Sequence, residues 1–193
     1  MNVKSSPIEY MLVDTAIGPI GIAWNAVGLV RVQLPERDAE KTEKALTARL
    51  GHVIRHDEAT SPLPPMIASL VGLLRRYAEG EAVDFSAVPV DFDGVDPFRK
   101  AIYRTARKLG FGETTTYGAL AAEAGFPNAA RDTGTALGRN PVPIVVPCHR
   151  ILAAGGKLGG FSAPGGTTTK QKLLMMENAR TDPPDSPQGS FAF

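Results

Sequence analysis

Cysteine occurs once in the 193 residues. A lone thiol excludes an intramolecular disulfide framework and any multi-cysteine zinc site. No apolar run is long enough to cross a membrane, and no signal-peptide hydrophobic region follows Met1, so a soluble cytoplasmic protein is expected. Histidine is scarce, with three residues. His52 and His56 stand beside Asp57 and Glu58, but no further ligand cluster supports a metal site, and the stretch reads as solvated and polar. Net charge is close to absent, at +1. It hides an asymmetry: residues 1–91 carry 9 basic and 12 acidic side chains, and residues 92–178 carry 11 and 6. A basic second half suits a phosphate-backbone partner. The apolar content of 43% suffices for a core, and the length fits one or two small domains.

The first half reads as a small α/β unit. Residues 8–13, 20–24 and 29–33 are predicted strands, broken by Gly18-Pro19 and Gly28. Residues 40–50 and 67–78 have helical spacing. Nothing in this half carries recognisable chemistry. Pro89, Gly94 and Pro97 punctuate the connection that follows, which predicts a domain boundary near Asp91. Pro97 then suits the first turn of a helix running to about Leu109. Residues 117–124 predict a short helix stopped at Gly125. Asn128 is the expected N-cap of another helix reaching about Gly138. Two short helices around a Gly-containing turn give a helix-turn-helix pattern. A last helix is expected over residues 170–178, followed by a Pro-rich flexible tail over residues 179–193. The expected fold is a small N-terminal sheet with helices plus a mostly α C-terminal domain over residues 92–178.

The one thiol has an unusual setting. Cys148 leaves the apolar run Pro143-Ile144-Val145-Val146 through Pro147 and meets His149 and Arg150 at once. A thiol attacks as its thiolate, and a neighbouring proton acceptor and a positive charge both favour that form. The opposing reading is a buried thiol acting as a small hydrophobe.

The segment from Pro97 to Glu177, a little under half the chain, resembles the catalytic domain of the O6-alkylguanine-DNA alkyltransferases. Pro97-Phe98, Thr116-Tyr117-Gly118 and Pro127-Asn128-Ala129-Ala130-Arg131 open the match. Asn140-Pro141-Val142-Pro143-Ile144 and Pro147-Cys148-His149-Arg150 form its centre. Gly159-Gly160-Phe161-Ser162 and Lys172-Leu173-Leu174-Met175-Met176-Glu177 close it. The order and spacing together are highly specific.

The resemblance implies a substrate, O6-alkylguanine in double-stranded DNA, and a nucleotide flipped out of the stack. It implies that Cys148 accepts the alkyl group, that His149 relays the thiol proton through a water, and that Glu177 holds the imidazole. Asn140 would brace the turn. Arg131 would fill the gap left by the base, and Tyr117 would crowd the backbone. Ala129 and Ala130 would let the helix approach a groove. The carbonyls of Cys148 and Ile151 would accept from the base, the backbone N–H of Ser162 would donate to O6, and Arg150 and Phe161 would lie at the binding surface. No metal or organic cofactor is implied, each molecule would react once, and a monomer is expected. Three departures stand out: Asp132 beside Arg131, Phe161 where many members carry Tyr, and the longer loop Ala163-Pro164-Gly165-Gly166. A damaged-base sensor without transfer and a cysteine hydrolase are the competing readings.

Overall fold

A computed structural model describes residues 7–57 and 61–179. Three strands, β1 (Ile8–Val13), β2 (Ile20–Trp24) and β3 (Leu29–Gln33), form an antiparallel meander. Helix α1 (Ala39–Thr47) follows, capped by Asp38, whose side chain accepts from Lys41 N at 2.8 Å. A short strand β4 (Val53–Arg55) then pairs parallel to β1, giving the sheet order β3-β2-β1-β4. The polar reading of residues 52–58 missed this strand. Three residues carry no usable periodicity, and pairing with β1 decides their conformation. His56, just beyond, bonds through Nδ1 to Glu9 at 3.0 Å.

Helix α2 (Pro65–Ala78) opens on a proline at its first position, where no N–H is needed. Ile67, Leu70, Val71, Leu74, Tyr77 and Ala78 recur at three- and four-residue steps, and all are buried. The chain then crosses into α3 (Pro97–Ala106), whose N-cap Asp96 accepts from Arg99 N at 2.9 Å. A two-strand parallel ribbon of β5 (Thr115–Thr116) and β6 (Ile151–Leu152) flanks α4 (Tyr117–Glu123) and α5 (Ala130–Gly138). Helix α6 (Gly166–Met176) completes the described chain.

Two helix boundaries differ from the sequence reading. Asn128 is not the N-cap of α5. It holds φ 70°, a left-handed conformation, whereas a capping residue needs extended backbone, and Ala129 takes the cap position without a side-chain bond. The C-terminal helix starts four residues earlier than expected and ends at Met176. Asn178, at φ 48°, closes it as glycine would, with Asn178 N bonding Met175 O and Ala179 N bonding Leu174 O. The turn after α4 does use its glycine: Gly125 N bonds Ala122 O and Phe126 N bonds Ala121 O. Residues 180–193 of the expected tail lie outside the described residues.

The buried apolar residues form one cluster running from Met11 through Trp24, Tyr77, Ile102 and Val145 to Leu173. Edge strand β3 is tied to the second half directly, because Val32 N donates to Pro141 O at 2.9 Å.

Candidate active site

Local backbone chemistry places the thiol. Pro147 has φ −79° and ψ 64°, an inverse γ-turn that its ring favours, and Cys148 N closes it on Val146 O at 2.8 Å. One turn of 3-10 helix (Cys148–Arg150) follows, and all three of its side chains are buried. Ahead of it Ile144 sits at φ 73°. A β-branched residue there is strained, which a chain tolerates only where its surroundings enforce it. Asn140 is part of that enforcement. Its Oδ1 accepts from Val142 N at 3.0 Å, and its Nδ2 donates to Val146 O at 2.8 Å and to Cys148 Sγ at 3.3 Å.

Behind the thiol lies a charged knot around Glu177, the C-cap residue of α6. Its Oε1 accepts from His149 Nε2 at 2.7 Å, Tyr77 Oη at 2.6 Å and Arg150 Nη2 at 3.0 Å. Its Oε2 accepts from Arg150 Nε at 2.8 Å and Gly112 N at 3.0 Å. Gly112 is required there: its φ is +75°, and a Cβ would fall 2.8 Å from the Glu177 carbonyl oxygen. Burial alone would raise the Glu177 pKa, but the His149 and Arg150 donors hold it well below the usual carboxylate range. Burial pushes the His149 pKa down, so the imidazole is neutral. With Nε2 donating to the carboxylate, Nδ1 is left buried, without a protein partner and free to accept a proton.

Burial also pushes the Cys148 thiol up; the Asn140 hydrogen bond and then the charge of Lys170 pull it back. Lys170 is fully buried on α6. Its Nζ donates to Ile151 O at 2.6 Å and lies 5.7 Å from the Tyr117 ring centroid. Burial lowers its own pKa to about 8.

A pocket of about 500 Å³ opens beside the thiol, walled by Tyr117, Arg131, Gly134, Cys148, Phe161 and Ser162. The structure thus gathers Cys148, His149, Glu177 and Asn140, and puts Tyr117, Arg131, Phe161 and Ser162 around one opening. Ile151 lies behind it, with its carbonyl shared with Lys170. Ala129 and Ala130 stand at the start of α5, outside the pocket lining.

Arg150 corrects the sequence reading. It is 4% exposed, and its guanidinium is consumed by Glu177 and by Leu109 O at 2.6 Å, so its side chain is neither at the binding surface nor charging the thiol. Its charge is spent on the carboxylate because an unpaired Glu177 could not be buried. Two partners escaped the sequence altogether. Tyr77 belongs to the half without recognisable chemistry, on a helix stripe where an aromatic looks like core. Lys170 sits in a helix where lysine is ordinarily solvated; its one signal is its place among the apolar positions of that helix.

Comparisons with known proteins identify the family. Residues 97–179 match the family model described as the DNA-binding domain of 6-O-methylguanine DNA methyltransferase. The chain is 34% identical over 173 residues to the methylated-DNA–protein-cysteine methyltransferase of Mycobacterium bovis, covering 90% of this chain and 94% of that one. The mouse protein of the same name is 32% identical, covering 95% and 87%. A crystal structure of Mycobacterium tuberculosis O6-methylguanine methyltransferase superposes with a TM-score of 0.69 at 32% identity, covering 92% and 96%. A crystal structure of the Mycobacterium tuberculosis protein OGT in complex with DNA gives 0.69 at 31% identity, covering 88% and 92%. A third of the residues shared over nearly the full length of such relatives, with the thiol site built from both halves of the fold, means that this chain belongs to the methylated-DNA–protein-cysteine methyltransferase family.

Proposed function

We propose that this protein repairs duplex DNA by moving the O6-alkyl group of a guanine onto Cys148. The observation that carries the proposal is the chain of contacts from the pocket inward: an open pocket, a thiol at its wall, a neutral imidazole with one free nitrogen, and a carboxylate that fixes the other. In the step, the bond from O6 to the alkyl carbon breaks and a bond from Sγ to that carbon forms. The thiol proton passes through a water to His149 Nδ1 and ends on the guanine leaving group, so charge balances. Glu177 stabilises the imidazolium that forms in passing, which is triad logic with sulfur as nucleophile. The thioether is inert, so one molecule reacts once.

The reactive carbon is out of reach inside a base stack, and the nucleotide must be extruded. Arg131, exposed on α5, would fill the gap; Tyr117 would press on the backbone. The Ile151 carbonyl has a lone pair beyond the one used by Lys170, and would accept from the exocyclic amine. The backbone N–H of Ser162 would donate to O6. Helices α4 and α5 would act as the helix-turn-helix that meets the duplex. In this reading residues 1–91 form a supporting domain and residues 92–178 the catalytic and DNA-binding domain of a cytoplasmic monomer. Among the described residues no helix is long and apolar enough to cross a membrane.

Mass spectrometry after mixing with O6-methylguanine duplex DNA tests the proposal. One methyl group per molecule on Cys148, absent in Cys148→Ser, is expected. Retained binding without an adduct would make the protein a damaged-base sensor, and multiple turnovers would make it a hydrolase.

A further inference from the structure

The thiol is approached from a second side. A cleft of about 630 Å³ reaches Cys148 between the N-terminal unit and the end of α5. Strand β3 and the end of α1 form one wall; residues 138–141 and the 161–164 loop form the other. The Val32–Pro141 hydrogen bond holds the two walls together.

Three arginines line this cleft: Arg31 from β3, Arg49 just past α1, and Arg139 just past α5. Glu36 is the single carboxylate in the lining. None of the three arginines has an ion pair or hydrogen bond with another side chain among the described residues, and Arg31 Nε is shut from solvent without an acceptor. Some other guanidiniums are used, although Arg37, Arg75, Arg104 and Arg131 likewise have no side-chain partner among the described residues. Arg150 grips Glu177, Arg107 donates to three carbonyls, and Arg76 and Arg99 meet carboxylates. Burial and the nearby Arg49 both weaken the hold of Arg31 on its proton. Like charges gathered without acceptors are costly, and an anion between them would relieve the cost. The thiol does not account for them, since the cation it feels most is Lys170.

We propose that this arginine cleft is a phosphate site through which the N-terminal unit grips the DNA strand carrying the alkylated base. The inference rests on the reading that duplex DNA is the substrate. Guanidinium forks match phosphate oxygens in pairs. The strand is favoured over a free anion because the cleft and the base pocket share Gly138, Cys148, Phe161 and Ser162, so a nucleotide in the pocket brings its own flanking phosphate to the Arg139 side.

The test is the salt dependence of duplex binding for Arg49→Gln and for the double variant Arg31→Gln with Arg49→Gln. Arg76→Gln, which lies outside the cleft, is the charge-matched control for Arg49→Gln. Losing the neutralisation of one DNA phosphate flattens the slope of log affinity against log salt by about 0.9. The double variant should flatten by that amount and bind roughly tenfold more weakly at low salt, while Arg76→Gln keeps the wild-type slope. A scan with single methylphosphonate links should find one position that weakens the wild type and not the double variant. Arg49 is exposed, so Arg49→Gln alone carries the test if the double variant misfolds. An unchanged slope, or identical scans, overturns the proposal. If inorganic phosphate raises the melting temperature of the wild type only, with slopes equal, the site takes free phosphate and the strand assignment falls. A wild type that neither binds duplex DNA nor accepts alkyl overturns the underlying reading instead.

Discussion

Glu177 shows at the residue scale how a costly placement becomes a functional one. A carboxylate at a helix C-terminus opposes the helix dipole, and burying it adds a desolvation cost. Five donors from His149, Arg150, Tyr77 and Gly112 offset both. Glu177→Gln leaves the Arg150 charge buried and uncompensated, and should cost about 3–5 kcal/mol by urea unfolding, along with alkyl transfer. Tyr77→Phe removes one donor of five and should cost about 1.5–3 kcal/mol while keeping measurable transfer. Both Glu177 and His149 have folded pKa values below their unfolded ones. The unfolded chain then binds more protons, so stability is full above about pH 6.5 and falls on acidification, more steeply below about pH 4.3. A melting temperature independent of pH from 7 to 4 would contradict that sign. Lys170 acts on the thiol by charge. Lys170→Met should move the rising limb of the pH–rate profile of alkyl transfer upward by about one unit, lowering the rate near neutral pH on the order of tenfold. A rate loss without a pH shift would make Lys170 a packing residue only.

The α4–α5 pair divides its labour by face. Arg131, Gly134, Thr135, Leu137 and Gly138 line the pocket beside the thiol, while Thr133 and Ala136 are buried on the other side. Gly159 leaves room for the Tyr117 ring; a Cβ there would stand 3.1 Å from it. Arg131→Ala should slow repair of duplex DNA far more than reaction with free O6-benzylguanine, which needs no extrusion; equal losses would indicate a folding defect. Asp132 shares a depression with Asp96, Arg99 and Arg139, on the α3 side of the helix. It also lies in the first turn, where a carboxylate suits the helix dipole. Asp132→Ala should therefore tighten duplex binding by no more than about fivefold at low salt, since exposed charges interact by about 1 kcal/mol or less in water. A tenfold gain would put Asp132 against the DNA backbone.

At the scale of the molecule the two halves are one packed body. The core runs unbroken from β1 to α6, Tyr77 crosses from the first half to the Glu177 carboxylate, and β3 bonds the active-site turn. Trp24, the single tryptophan, lies in the N-terminal sheet, whereas α3, α4, α5 and α6 lie in the second half. Urea transitions followed by Trp fluorescence and by far-UV circular dichroism should coincide, because neither half keeps a closed core without the other. Separate midpoints would mean that residues 1–91 unfold independently.

The local signals were complete for β1, β2 and β3 and for the Pro97 and Gly125 punctuation. Proline geometry, strand alternation and glycine conformations are properties of a few neighbouring residues, so sequence carries them. The partnership of Cys148, His149, Asn140 and Glu177 came from resemblance to a family, because 28 residues separate His149 from Glu177 and no periodicity spans that gap. What only the tertiary structure decided is the use of each charge. Arg150 turned inward to Glu177, Lys170 was buried under the Ile151 carbonyl, Tyr77 joined from a helix 100 residues before Glu177, and three arginines were left facing one cleft. A charged side chain takes the partner that relieves its desolvation, and which partner lies within 3 Å is settled by how distant elements pack.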